Sequence, residues 1–138
     1  MNNVSSGIIS FERYEIIKTY FELNSNYQGE EIDIDLSINV NVKSNDVRNK
    51  MIVDIDVALF KDIKEKEHPF ELTFTCRGYF SMDDGNDINS YETNAIAILY
   101  PYVRTFVSNF TASVNVTPLL LPTININKMV SDAKKNRQ

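Results

Sequence analysis

From residue 32 to 42 the chain reads Ile-Asp-Ile-Asp-Leu-Ser-Ile-Asn-Val-Asn-Val. Successive side chains of an extended strand point to opposite faces. Ile32, Ile34, Leu36, Ile38, Val40 and Val42 therefore share one face, and Asp33, Asp35, Ser37, Asn39 and Asn41 the other. Wound as a helix, the same run would have no apolar side, so it reads as a strand. Six branched apolar groups on one face need cover. The run thus commits the chain to a sheet with a second layer packed against it.

The period of two continues. After a turn at Ser44, Asn45 and Asp46, a strand over residues 50–61 turns Met51, Val53, Ile55, Val57 and Leu59 inward and Asp54 and Asp56 outward. A charged turn at residues 65–68 precedes a strand over 70–82 that alternates Phe70, Leu72, Phe74 and Cys76 with Glu71, Thr73, Thr75 and Arg77. Gly78 interrupts this alternation, which implies a bulge or a close backbone approach. Residues 8–23 form a less regular strand, with Ile9, Phe11, Ile17, Phe21 and Leu23 on one parity and Tyr14, Ile16 and Tyr20 on the other. Apolar groups on both faces imply cover on both sides.

Beyond a loop at residues 83–87, apolar residues recur every three or four: Ile96, Leu99, Val103, Phe106, Val107 and Phe110. Pro101 lies inside this stripe and implies a kinked helix. Pro118 and Pro122 bracket Leu119, Leu120 and Leu121 in a segment that is not regular helix, and a short helix is expected over 125–136. The fold class is α+β, a four-stranded antiparallel sheet with two C-terminal helices on one face. The 138 residues fit one domain, with loosely ordered ends at 1–7 and 131–138.

The chain carries 14 basic and 19 acidic residues, a net charge of −5. Residues 128–138 contribute +3 through Lys128, Lys134, Lys135 and Arg137 against Asp132, which leaves −8 on residues 1–127. Such an acidic body argues against binding duplex nucleic acid, which rests on Lys and Arg. The opening MNNVSSG has no basic region followed by an apolar run, and no apolar run spans a bilayer, so a cytoplasmic location is expected. A single cysteine, Cys76, rules out an internal disulfide or a multi-cysteine metal site and reads as a buried apolar residue. The single histidine, His68, reads as a solvated loop residue beside Pro69. The pairs Asp33/Asp35 and Asp54/Asp56 suit a hard cation, yet the solvent face of a sheet shows the same spacing. No nucleophile elbow or phosphate-cradling glycine pattern occurs, so no catalysis, metal or cofactor is expected. What stands out is apolar surplus. The face of residues 32–42 and the leucines between the prolines exceed what two helices can cover, which predicts a subunit interface, a groove for apolar segments of a partner, or both.

From residue 92 the chain reads ETNAIAILYPYVRTFVSNFTASVNVTPLLLPTIN. Pro101, Tyr102 and Arg104, then Pro118, Leu119, Leu120, Leu121 and Pro122, then Ile124 and Asn125 resemble the C-terminal half of the SecB family of protein-export chaperones. Gly78, Phe80 and Ser81 resemble the end of that family's fourth strand. The resemblance covers about residues 8–130 and is most specific over 94–125. It implies a sheet of order 1-4-3-2, a dimer of dimers, and an ATP-independent holdase for non-native polypeptides. It places Ile32, Ile34, Leu36, Leu119, Leu120, Leu121 and Ile124 at the client groove. In the family, acids of the first and fourth strands dock the export motor ATPase. Glu22 fits one such position, but Lys18 and Thr73 stand at others, while Asp33, Asp35, Asp54 and Asp56 keep the sheet acidic for a basic partner. Other SecB-like proteins serve one antitoxin of a toxin–antitoxin pair, and the sequence suits that role too. A non-chaperone oligomeric adaptor is the reading from a different class, and an enzyme using the aspartate pairs is a more distant one.

Overall fold

The alternating runs pair into one sheet. The structure, a computed structural model, describes residues 9–27, 29, 33–45, 49–61, 63, 67–83, 88–114, 116, 119–122, 125, 128 and 131. Strands β1 (Ile9–Leu23), β2 (Leu36–Ser44), β3 (Lys50–Leu59) and β4 (Phe70–Met82) precede helix α1 (Ile88–Ser113). All neighbours are antiparallel, in the order β1-β4-β3-β2 that the resemblance implied. Where two helices were expected, the described residues contain one. Of the segment 125–136 only Asn125, Lys128 and Ser131 are described, and residues 1–7 and 132–138 lie outside the described set.

β4 sits between β1 and β3 and alternates without a break. Phe70, Leu72, Phe74, Cys76, Gly78, Phe80 and Met82 are buried, and the residues between them face the outer side, half-buried. Gly78 marks a close approach, not a bulge. A Cβ there would lie 2.8 Å from Phe80 Cε2 and 3.0 Å from both δ-carbons of Leu99 on α1. The bulges lie across the pair, in β1, between Phe11 and Arg13 and between Ile16 and Lys18. Each inserts one residue and so reverses the parity of the strand beyond it. Ile9, Phe11, Tyr14, Ile16, Thr19, Phe21 and Leu23 consequently all stand opposite the inward residues of β4. This corrects the expected grouping: Tyr14 and Ile16 join the core-side set, while Ile17 leaves it and is 44% exposed.

β2 begins at Leu36, four residues later than expected, and β3 ends at Leu59 rather than at 61. Both limits have one cause. Phe60 adopts a left-handed backbone (φ 57°), which turns the chain away and leaves residues 33–35 without a ladder partner. The Phe60 N–H still donates to the Asp35 carbonyl at 2.9 Å, and its ring meets Phe70 edge-on at 5.0 Å. That turn also overturns the solvated reading of His68. Its side chain is only 15% exposed, with its ring 5.1 Å from Phe60 and its Nε2 3.8 Å from Asp35. Cys76 is fully buried, and desolvation followed by the nearby Asp54 charge pushes its thiol up to about 12.

α1 runs unbroken through Pro101. Proline lacks the N–H that would bond the carbonyl of Ala97, and Ala97 and Pro101 both lie on the exposed side of the helix, where that oxygen is accessible to solvent. Toward the sheet α1 buries Tyr91, Ala95, Ile96, Leu99, Tyr100, Val103 and Val107. The Phe106 ring lies tilted 4.6 Å from Phe74 and Phe110 meets Phe21 edge-on at 5.3 Å, so the helix lies over β4, β1 and β3.

Candidate functional site

Beyond α1 the chain doubles back along the helix. Tyr100, Arg104, Ser108 and Thr111 are spaced four, four and three apart, so they form a polar stripe up one side of α1. Tyr100 Oη donates to the Pro122 carbonyl (2.8 Å), Arg104 Nε to Leu121 O (3.2 Å) and Ser108 Oγ to Leu119 O (3.2 Å). The Leu119 N–H in turn donates to Thr111 Oγ1 (3.0 Å), whose own hydroxyl reaches Val107 O. Burial raises the pKa of Tyr100, which keeps its phenol protonated as a donor. The backbone of 119–122 is thus held antiparallel to the helix, with its side chains alternating. Leu121 is fully buried, Leu119 half-buried and Leu120 68% exposed. This stripe escaped the reading of the sequence, although its helical spacing could have revealed it.

The three leucines therefore do not act as one surface. Leu121 belongs to the core and cannot meet a partner in this fold, a correction whose cause is the clamp that turns alternate side chains inward. Leu120 is free to do so. At the other end, Ile34 precedes β2 and is 42% exposed. Leu36, Ile38 and Val42 face the helix side of the sheet but stay half-buried, and only Val40 of β2 is fully covered. The reason is geometric: α1 lies over β1, β4 and β3, and β2 is the far edge. What remains is an apolar strip along β2 beside an edge that pairs with no other strand among the described residues. Ile32, Ile124 and Pro118 lie outside the described residues.

The other edge is apolar as well. Tyr14, Ile17, Tyr20 and Leu23 of β1 are each more than 40% exposed, and Tyr14 stacks on the exposed Tyr102 of α1 at 4.5 Å.

The expected docking acids are spread apart and mostly engaged. Arg77 grips Asp54 through Nε (2.7 Å) and Nη2 (2.9 Å), and Thr75 donates to Asp56 at 2.6 Å. Glu22 accepts from Tyr20 Oη at 2.6 Å, which raises the pKa of that phenol. Asp33 and Asp35 stand before β2 and not in it, Asp33 exposed and Asp35 beside His68. Arg13, over the ring of Tyr79 at 3.8 Å, and Lys18 share the outer face with them. The outer face is thus mixed in charge. Among the described residues no group of three His, Cys, Asp or Glu is placed to hold a metal ion, and no helix is long and apolar enough to cross a membrane.

With this geometry in place, comparison with known proteins is decisive. The family model of the preprotein translocase subunit SecB matches residues 9–137. The chain belongs to the SecB family. Its fold is also similar to that of a SecB-like chaperone of Mycobacterium tuberculosis, solved in complex with a peptide from the HigA1 antitoxin. That likeness has a TM-score of 0.66 at 18% identity and covers 85% of this chain and 88% of the other. A protein of unknown function from Streptococcus agalactiae shares the fold at a TM-score of 0.55 and 8% identity, over 86% of this chain and all of that one. By sequence, the chain is 27% identical over 135 residues to an uncharacterised protein of Methanocaldococcus jannaschii, covering 94% of this chain and 87% of the relative. The SecB-family chain thus keeps the family's fold even where its outer-face charges depart from the expected acids.

Proposed function

We propose that this SecB-family protein is an ATP-independent chaperone that holds non-native polypeptide along β2. The observation that carries this reading is the partly covered apolar strip: Ile34 exposed, and Leu36, Ile38 and Val42 half-buried, beside a strand edge that no other strand pairs among the described residues. An extended client pairs its backbone with that edge and lays alternate side chains on the strip. Completing the burial of each such side chain is worth roughly 1 kcal/mol, about half of the full value for an aliphatic residue. Four of them do not outweigh the cost of association, so each contact is weak and exchanges readily. Leu120 supplies the opposite wall. The site needs no nucleotide and no catalytic group, so the role is non-enzymatic, and its place is the cytoplasm.

Useful affinity then comes from several grooves on one assembly. The exposed β1 edge, with Tyr14, Ile17 and Leu23, is the surface whose burial between copies would build the homotetramer that the family resemblance implies. Delivery of clients to the export motor is the first use to consider. Service to a single antitoxin is the second, favoured by the likeness to the M. tuberculosis chaperone, whose solved complex holds an antitoxin peptide.

The test is suppression of aggregation of a reduced, unfolded reporter protein by the full chain. Suppression at stoichiometric tetramer supports the holdase, and no effect in excess overturns it. Co-purification of one small neighbour protein, with generic clients ignored, marks the antitoxin reading. A tetramer with no affinity for any peptide marks the adaptor.

A further inference from the structure

His68 sits at the end of the sheet where β1 and β3 finish and β2 and β4 begin. Its carbonyl accepts from Asn24 Nδ2, just past β1, at 2.9 Å, and the Pro69 carbonyl accepts from the Asn24 N–H at 3.0 Å. Its ring lies 5.1 Å from that of Phe60, just past β3, and its Nε2 lies 3.8 Å from Asp35, just before β2. Asp35 follows Ile34, the exposed end of the client strip, and residues 33–35 have no ladder partner. The chain is held there through the Phe60 N–H on the Asp35 carbonyl and through the Asp35 side chain beside His68. The other ring nitrogen is the anomaly. Nδ1 is buried without a hydrogen-bond partner, the one such side-chain atom among the described residues.

We propose that His68 is a proton-operated latch on the open end of the client strip, closed while its ring is neutral and released when the ring is charged. The inference rests on the reading of β2 as the client strand. A neutral imidazole has one N–H and one lone pair, so it can turn the N–H toward Asp35 and leave only a lone pair at buried Nδ1. The charged ring carries a donor on both nitrogens, and two effects then compete. Attraction to Asp35 gains little, because that carboxylate is 43% exposed and 3.8 Å is beyond hydrogen-bond reach. The charged donor at Nδ1, buried and without an acceptor, carries the larger penalty. The second effect wins. The charged ring swings out to water, Asp35 loses its neighbour, and Ile34 loses its fixed place in the strip. Release takes up a proton, so the latch is closed at high pH and opens as pH falls. Among the described residues Asp35 is the charged group within ion-pair distance of the ring. Asp33, Lys61 and Glu67 are exposed to water, and Glu22 and Glu71 stand on the outer face, away from Phe60 and Phe70. Residues 62 and 64–66 lie outside the described set.

The experiment follows the Ile34 methyl signal by NMR in the full chain with labelled isoleucine methyls, and in parallel its affinity for an unfolded reporter. Both are read between about pH 8 and about pH 5.5, the range in which histidine changes charge, and the chain has one histidine. In the wild type the Ile34 signal should shift as pH falls. Reporter affinity should drop by roughly threefold, short of the loss of the whole Ile34 contact. His68→Gln keeps a donor for Asp35 and takes up no proton in this range, so both readouts should stay flat. His68→Phe, which keeps a ring against Phe60, should also be flat. A merely structural role would change the level of either readout in the variants but not its pH dependence. A flat Ile34 signal in the wild type, or the same pH response in both variants, overturns the latch. A His68-dependent shift of Ile34 with constant reporter affinity supports the latch and overturns the client reading of the strip.

Discussion

β4 and β2 carry the same kind of sequence and meet different fates. Both alternate apolar and polar residues, yet every inward residue of β4 is buried, while β2 buries Val40 alone and leaves Leu36, Ile38 and Val42 half-covered. The difference lies in position. β4 has a strand on each side and α1 seated above it through the Gly78–Leu99 contact, whereas β2 is an edge beyond the reach of the helix. Periodicity tells which face of a strand is apolar. It does not tell what covers that face, and in this fold the strip left partly uncovered is the one proposed to hold the client.

If β4 is the structural centre, damage there should cost most. Leu99→Ala removes a fully buried side chain and is expected to lower stability by about 2–5 kcal/mol in urea titrations at fixed protein concentration. Gly78→Ala forces a Cβ against Phe80 and Leu99 and should cost about 1–3 kcal/mol. Losses below about 0.5 kcal/mol, the level of an ordinary surface substitution, would mean that α1 is not seated on β4. The burial of Cys76 adds a pH signature. Below pH 9.0 both folded and unfolded chains keep the thiol proton, and between 9.0 and about 12 only the unfolded chain loses it. Stability should therefore fall as pH rises through that window, by about 1.4 kcal/mol per unit beyond whatever Cys76→Ala shows. Equal slopes for the two proteins would place the thiol in contact with water.

The contrast also explains what was legible in the sequence. The strands of the sheet centre followed from alternation alone, and β4 matches its expected span at both ends. β1 misled because two bulges reverse parity, and the resulting mixed-parity run of apolar residues reads as one strand apolar on both faces. β2 was read as starting too early because its apolar rhythm continues through Ile34 past the point where β3 turns away at Phe60. No local signal marks a phenylalanine for a left-handed backbone. Leu119, Leu120 and Leu121 looked like one apolar wall, and only the clamp from α1 separates buried Leu121 from exposed Leu120. Composition identified these segments as surplus, but the division of labour within them depends on long-range contacts.

That clamp is the next place to probe, with a smaller expected effect. Thr111→Val removes the acceptor for the Leu119 N–H, and Tyr100→Phe the donor to the Pro122 carbonyl. Each should cost about 1 kcal/mol of stability, the net worth of one hydrogen bond. Hydrogen exchange at the Leu119 amide should quicken several-fold in Thr111→Val, the local-opening counterpart of that loss. An unchanged exchange rate would mean that the segment is held by Leu121 packing alone.

The smallest stability effect should accompany the most selective functional one. Ile34 lies at the open end of the β2 strip, unpaired in the sheet and 42% exposed. Ile34→Arg therefore places its charge in water and should change stability by no more than about 0.5 kcal/mol. A bound client would lose one apolar contact there and meet a guanidinium instead, so affinity for an unfolded reporter should fall about fivefold, close to 1 kcal/mol. Leu120→Arg should act in the same direction from the other wall. Leu121→Ala should do the reverse, costing about 2–5 kcal/mol of stability by opening a cavity while leaving the client surface in place. Peptide titration and urea unfolding on the three variants separate these expectations. If Ile34→Arg binds clients as the wild type does, the uncovered strip on β2 is not the groove, and the β1 edge becomes the surface to test.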